Sequence, residues 1–544
     1  MSTVARTLGS GPCNNAGGLG TFDVTDLVRL RRFLMLGAEG GTYYASSQKL
    51  TLENAAAVAR MLAGGEGATV VAEALDVSVT GRAAKQSPTL FVLAMAARLG
   101  DPTTRKAAYT ALPKVARTPT MLFEWISYSQ AMGEGSGWGR GLRRAVAVIY
   151  TAKAPKSLAY WVTKYRSREG WTHRDVLRLA HVKPSSDGQQ LVLNYAVKDA
   201  LVGLEGDESA EAAAARAFLA GVEQARRSED PAEMVALIAE HGLAREHVPS
   251  PLLGSVEVWR ALLNANMPMT AMMRNLAKMT SIELLKPLSA ETATVCAKLR
   301  DPAALRRARV HPFSVLTALK TYERGAGIKG SLTWQPIPEV TKALDDAFYA
   351  AFSHVLPTGK RFVIAMDVSG SMTCGDVNGS PGISPRVAAA AMAMATMRTE
   401  PRTHPLAFTS TLVPLRINAK MSLDEVVREC NSLPFGGTDC AQPMLWAMEN
   451  KVKADVFIVY TDCETWAGSV SPADALRRYR QKTGIDARLI VVAMTSGGFT
   501  LADPSDAGML DVVGFDASAP QIIRDFVMGA HGTAATTTAA AASG

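Results

Sequence analysis

The sequence contains no apolar run of the roughly 18 residues that a membrane-crossing helix needs, and its start, MSTVARTLGSGPCNNAGGLG, has no apolar centre of the kind a signal peptide carries. A cytoplasmic protein with no membrane partner is expected. Cysteine is scarce. The six residues at 13, 296, 374, 430, 440 and 463 form no CxxC pair, which excludes a structural zinc site and a disulfide framework of the usual spacing. The signatures HExxH and GxSxG are missing, and there is no acidic cluster suited to a pair of metals. Acidic charge is also short at the front. The first 360 residues hold 43 Lys and Arg against 32 Asp and Glu, whereas residues from 361 onward hold 15 against 18. An imbalance of +11 against −3 suggests a polyanionic partner for the front part.

At 544 residues and 48% hydrophobic content, the chain can bury a large core and has room for about two to four domains. From about 24 to 350 apolar residues recur every three or four positions, as in DVTDLVRLRRFLML, LTLENAAAVARMLA, TLFVLAMAARL and PAEMVALIAEHGL, with no strand alternation of useful length. Helices of this size with short punctuation predict stacked helical pairs of the solenoid type. Near 356 the texture changes. Short apolar runs (RFVIAM, HPLAFT, DVFIVYTD, ARLIVVAM, MLDVVGF) alternate with helical segments, which predicts a doubly wound α/β sheet with ligands at the carboxyl ends of its strands. The expected organisation is a helical-repeat domain over 21–355, an α/β domain over 356–530 and a disordered, low-complexity tail over 531–544.

Three loops of the α/β part supply hard oxygen donors. DVSGS gives Asp367, Ser369 and Ser371, FGGTDC gives Thr438, and VYTDCE gives Asp462. Two carboxylates and three hydroxyls, with no His or Cys among them, suit a divalent cation such as Mg²⁺. No activated nucleophile or base accompanies them, and His404 and His531 are isolated. A contact site is therefore expected rather than a catalytic one. DxSxS, then Thr, then Asp on an alternating α/β fold resembles the metal-ion-dependent adhesion site of von Willebrand factor A domains. In that family the Asp, the two Ser and the Thr coordinate the ion, and the last Asp acts mostly through water.

Three stretches of the helical part are dense in cations and aromatics. They are RLRRFLMLGAEGGTYYASSQKL (29–50), with three arginines before Tyr43 and Tyr44, GEGSGWGRGLRR (133–144), and TKYRSREGWTHRDVLRLAHVKPSSDG (163–188). The last sets Lys164, Arg166, Arg168, His173, Arg174, Arg178, His181 and Lys183 among Tyr165 and Trp171. Such interleaving offers phosphate attraction and flat faces for unpaired bases, although a solvated helix face would read the same way. Together with RNLAKMT (274–280), ARVHPFSVLTALKTYERG (308–325), PTGKRF, TDCETWAG and AMTSGGFTLADP, these stretches resemble the Ro autoantigen family of ribonucleoproteins from about 21 to 530.

The resemblance implies an all-α ring of HEAT-like repeats, the TROVE module, followed by a von Willebrand A domain. It implies a non-catalytic, monomeric protein that binds Y-type noncoding RNA on the outside of the ring and single-stranded 3′ ends of misfolded RNA in its centre. On the matching motifs, the Y RNA surface falls on Lys164, Arg168 and His181. Arg140, Arg143, Arg144, Arg274 and Lys278 fall in motifs that face or stand near the hole, and His311 fits either a contact or a packed core residue. The alanine-rich composition looks bacterial, which would imply a role beside an exoribonuclease in RNA maturation or decay. The other readings are a metal-dependent protein adhesion module without an RNA role, and a metal-dependent RNase.

Overall fold

The computed structural model describes residues 22–37, 47–133, 135, 137–201, 208–265, 267–327, 330–352, 355–434, 436–463 and 467–529. Tyr43 and Tyr44, residues 464–466 of TDCETW, and the 531–544 tail lie outside the described residues. Among the described residues, eighteen α-helices fill the front of the chain, from α1 (Asp26–Leu36) to α18 (Pro338–Ala350). Local chemistry sets where they begin. Thr25, Asp101, Thr118, Ser186, Ser209 and Ser289 stand at N-caps, and each side chain accepts from the backbone N–H three residues on. Successive helices stack in two layers. One holds α2 (Ser47–Ala63), α4 (Ser87–Leu99) and α6 (Pro119–Ala131), and the other holds α3 (Gly67–Thr80), α5 (Pro102–Val115), α7 (Arg140–Thr151) and α9 (His173–Ala180). The helical texture of the sequence is thus borne out, with two small additions. Strand β1 (Phe22–Asp23) precedes α1, and a hairpin of β2 (Ser167–Arg168) and β3 (Trp171–Thr172) follows α8 (Pro155–Lys164). No helix among the described residues is long and apolar enough to cross a membrane.

The back of the chain is a mixed six-stranded sheet in the order β10-β8-β7-β4-β5-β6. Its strands are β4 (Phe362–Asp367), β5 (Thr403–Phe408), β6 (Leu412–Pro414), β7 (Val456–Thr461), β8 (Arg488–Ala493) and β10 (Met509–Val513). All neighbours are parallel except the edge pair β5–β6. Helices α19 (Pro385–Thr399), α20 (Leu423–Asn431), α21 (Gln442–Glu449), α22 (Pro472–Thr483) and α23 (Ala519–Val527) cover it. Because side chains alternate along a strand, Val363 and Ala365 enter one core with α21 and α22, while Ile364 and Met366 enter another. That second core is continuous with the core of the helical run. Strand order reverses between β4 and β7, so their carboxyl ends form the switch-point crevice where such sheets hold ligands.

The helical run closes on itself at the α/β domain. Strand β1 pairs with β9 (Phe499–Thr500), and α1 lies beside β10. Arg32 of α1 is fully buried. Its Nη2 donates to Asp511 Oδ1 at 2.5 Å, its Nε to Asp511 Oδ2 at 3.3 Å, and its Nη1 to the carbonyls of Gly497 and Phe499 at 2.9 and 2.7 Å. From the far side, Arg82 forks onto Asp516, with Nη2 2.6 Å from Oδ2. The ring nitrogen Nε2 of His311 donates to the Arg82 carbonyl at 2.8 Å, which joins residues 229 positions apart. Phe313 of α17 (Pro312–Glu323) meets Phe515 edge to face, and Lys320 pairs with Asp424.

The arginines of RLRRF are engaged within the fold: Arg29 pairs with Glu53, Arg31 with Glu73 and Arg32 with Asp511. Their partners lie 24 to 479 residues away, out of reach of any local pattern.

Replacing Arg32 leaves Asp511 facing a charge-sized void, and removing one member of a buried ion pair costs about 3–5 kcal/mol. Arg32→Ala should lower the urea midpoint accordingly. A change below about 1 kcal/mol would show that this junction does not hold the two domains together.

Candidate nucleic-acid interface and cation site

The crevice between β4 and β7 gathers the oxygen donors. Asp367 is the last residue of β4, and the turn after it folds back so that Ser369 N–H donates to Asp367 Oδ1 at 2.9 Å. The hydroxyls of Ser369 and Ser371 lie 3.1 Å apart. Thr461, the last residue of β7, donates its hydroxyl to Asp367 Oδ2 at 2.7 Å and places Asp462 next in line. The loop carrying Thr438 is pinned on both sides, by Asp439 N–H to the Thr409 carbonyl at 2.8 Å and by Ala467 N–H to the Thr438 carbonyl at 2.9 Å. All five expected donor residues are buried. Burial pushes the Cys440 thiol up, and the nearby charges of Asp367 and Asp462 add to that shift.

Burial raises the Asp367 carboxyl above its ordinary range, against the lowering pull of its hydrogen bonds and the Arg386 charge. A neighbouring cation would relieve that cost. Among the described residues no three His, Cys, Asp or Glu side chains are grouped so as to hold a metal, and the expected donors are two carboxylates and three hydroxyls. That composition fits a hard ion that keeps some of its waters.

Two supporting residues escaped sequence reasoning. Thr461 orients Asp367, and Arg386 of α19 donates through Nη2 to the carbonyls of Val368 and Ser369 at 2.5 and 3.0 Å, which fixes the DVSGS turn. No local signal marks Arg386, because its role depends on α19 crossing the turn.

The sequence-derived RNA residues fall in three places. Lys164, Arg168 and His181 share one unit running through α8, the β2–β3 hairpin and α9. Arg168 and His181 are exposed, and His181 caps α9 in the left-handed region with φ 49°. Lys164 differs. Its side chain is only 7% exposed, and its Nζ lies 3.1 Å from the Tyr160 hydroxyl, near the rings of Tyr160 and Tyr165 and 3.9 Å from Glu246. Its charge is therefore largely engaged within the fold. Arg140, Arg143 and Arg144 project from one exposed face of α7, with no salt bridge to a carboxylate among the described residues. Arg274 and Lys278 lie one turn apart on α14 (Met269–Ser281), again with no such salt bridge among the described residues.

Two basic residues of the 163–188 stretch have partners within the protein. Arg166 pairs with Asp199, and His173 is buried, with Nδ1 accepting from the Tyr150 hydroxyl and Nε2 donating to the Tyr165 carbonyl, both at 2.9 Å. His311 is likewise a packed residue, its Nδ1 accepting from Phe313 N–H at 3.1 Å.

The TROVE domain model matches residues 13–321, and the Ro60 vWA domain model matches residues 361–527. The chain belongs to the Ro60 family. It is 43% identical over 518 residues to the RNA-binding protein RO60 of Deinococcus radiodurans, with 95% of each chain covered. It is 39% identical over 582 residues to the RNA-binding protein RO60 of Caenorhabditis elegans, covering 95% of this chain and 90% of that one. The crystal structure of the Deinococcus radiodurans RO (RSR) protein matches with a TM-score of 0.69 at 42% identity, over 93% of this chain and 99% of that chain. Both Ro60 relatives are named as RNA-binding proteins.

Burial holds His173, His247 and His311 neutral, each lowered from 6.5 to about 4. The sign follows from linkage. The unfolded chain takes up protons on these groups below pH 6.5 while the folded chain does not, so stability is full above that pH and falls as pH drops toward 4. Together they should remove about 3 kcal/mol between pH 6.5 and 5.5. Denaturant titrations at the two pH values measure it, and an unchanged midpoint would mean that the rings are not sealed from solvent.

Proposed function

We propose that this chain is a non-catalytic RNA-binding scaffold of the Ro60 type. Structured, Y-type RNA lies along the outside of the closed helical run, and single-stranded 3′ ends of misfolded RNA enter its centre. The observation that carries this reading is the division among the cations. Arg29, Arg31, Arg32 and Arg82 are each matched to a carboxylate, whereas Arg140, Arg143, Arg144, Arg274 and Lys278 form no salt bridge among the described residues and stand partly or fully in solvent. Unmatched guanidinium and ammonium groups on a net-basic half are what phosphate attraction requires. Arg168 and His181 serve the outer surface, beside Lys164.

The α/β domain has a separate task in this reading. Asp367, Ser369, Ser371, Thr438 and Asp462 would hold Mg²⁺, which supplies an open coordination position for a carboxylate oxygen of a docking protein such as an exoribonuclease. The protein's own residues orient the donors and keep water from the buried side of Asp367.

With about six to eight phosphates neutralised, the logarithm of the association constant should fall against the logarithm of salt with a slope of roughly −4 to −7. Arg168→Ala with His181→Ala should weaken structured RNA more than a single-stranded tail. The triple change of Arg140, Arg143 and Arg144 to Ala should do the reverse. A slope near zero, or equal losses for both ligands, would contradict the assignment, and cleavage of a tailed RNA that Asp367→Ala abolishes would make the protein a nuclease.

Millimolar Mg²⁺ should raise the unfolding midpoint, by about 2.7 kcal/mol at a hundred times the dissociation constant. Asp367→Asn should cancel the effect. If EDTA and Mg²⁺ leave the wild-type protein equally stable, the loops do not hold the ion.

A further inference from the structure

A cleft of about 750 Å³ opens between α5 and α7, within the size range of small-ligand sites. Arg105 and Lys106 of α5 and Arg144 of α7 border it, all exposed and none in a salt bridge among the described residues, though Arg105 stands near enough to Asp101 to lower its carboxyl. Between them lies Tyr109, half-buried and braced edge-on by Trp125 at 6.5 Å and 77°. Its hydroxyl has no hydrogen-bond partner among the described residues. Across from it Val148 leaves 43% of its surface in solvent. Gly141 lies close against the ring: a Cβ there would be 3.0 Å from Tyr109 Cε2 and 3.1 Å from Cδ2. A half-buried aromatic ring, an exposed valine and three exposed cations thus border one cleft.

We propose that this cleft seats one unstacked nucleotide of a single-stranded RNA. The base lies against Tyr109 and Val148, and Arg105, Lys106 and Arg144 take the flanking phosphates. The inference rests on the RNA-binding reading above and adds a defined subsite with a recognition mode. Because every base presents a flat face, the seat tolerates sequence but requires a base. Its cations set it apart from a peptide groove, since they match two successive phosphates rather than an apolar side chain.

The test uses the full-length protein and a short single-stranded RNA carrying one 2-aminopurine, with a blunt RNA hairpin as the second ligand. Wild type should quench the 2-aminopurine. Gly141→Leu, which fills the cleft from an exposed helical position that favours a side chain, should weaken binding of the single strand roughly tenfold and abolish quenching. Tyr109→Leu should do the same, and hairpin affinity within about twofold of wild type for both variants shows that the fold is kept. An oligonucleotide scanned with an abasic site should lose affinity at one position.

If wild type binds the single strand and both variants bind it equally well, the cleft is not the seat and the RNA-binding reading stands. If wild type binds neither RNA, both fall. Equal losses for hairpin and single strand would reduce the cleft to general electrostatics. Competition by millimolar adenosine monophosphate alone would replace the RNA by a free nucleotide.

Discussion

Everything at the junction depends on one guanidinium that has no access to water. A buried charge costs several kcal/mol unless every donor finds an acceptor. The five N–H groups of Arg32 meet Asp511 twice, the carbonyls of Gly497 and Phe499, and, at 4.0 Å, the sulfur of Cys463. Those acceptors come from three different loops and strands of the α/β domain, so α1 can dock in only one orientation. Arg82 with Asp516 and His311 with the Arg82 carbonyl repeat the device on the opposite side of the closure. Since Cys463 follows Asp462 directly, the contact that seats α1 also borders the proposed ion-binding loop.

The arginines of the chain accordingly divide into two populations that look alike in sequence. One group is matched to carboxylates, buried or half-buried, and holds the fold. The other projects from α7 and α14 into solvent, unmatched. The basic excess of the first 360 residues understates this division, because part of the positive charge is spent inside the structure.

Much of the architecture was legible in the sequence. The texture change near 356 marks the passage from α18 to β4, and the five longer strands and five helices of the α/β domain fall on the runs that suggested them. Strands β6 and β9 did not show, because three and two residues are too short for an alternation to register. Asp367 and Asp462 were expected at strand ends, and they lie at the end of β4 and directly after β7. What could not be read was pairing at a distance. Nothing in RLRRF distinguishes Arg31, bound to Glu73, from an arginine waiting for phosphate. Nothing in TKY reveals that the lysine folds back among tyrosines. Tyr109 and Gly141 lie 32 positions apart and become related only when α5 and α7 pack.

The shared core has a further consequence. Family boundaries near 321 and 361 suggest two modules joined by a hinge, but the buried residues of the helical run and of one sheet face form a single cluster. A cut placed between them would not release two domains. It would lay open an apolar surface on each fragment, and both would be prone to aggregate. For the same reason an insertion in the linker should be tolerated poorly, and the chain should unfold as one cooperative body rather than in two steps.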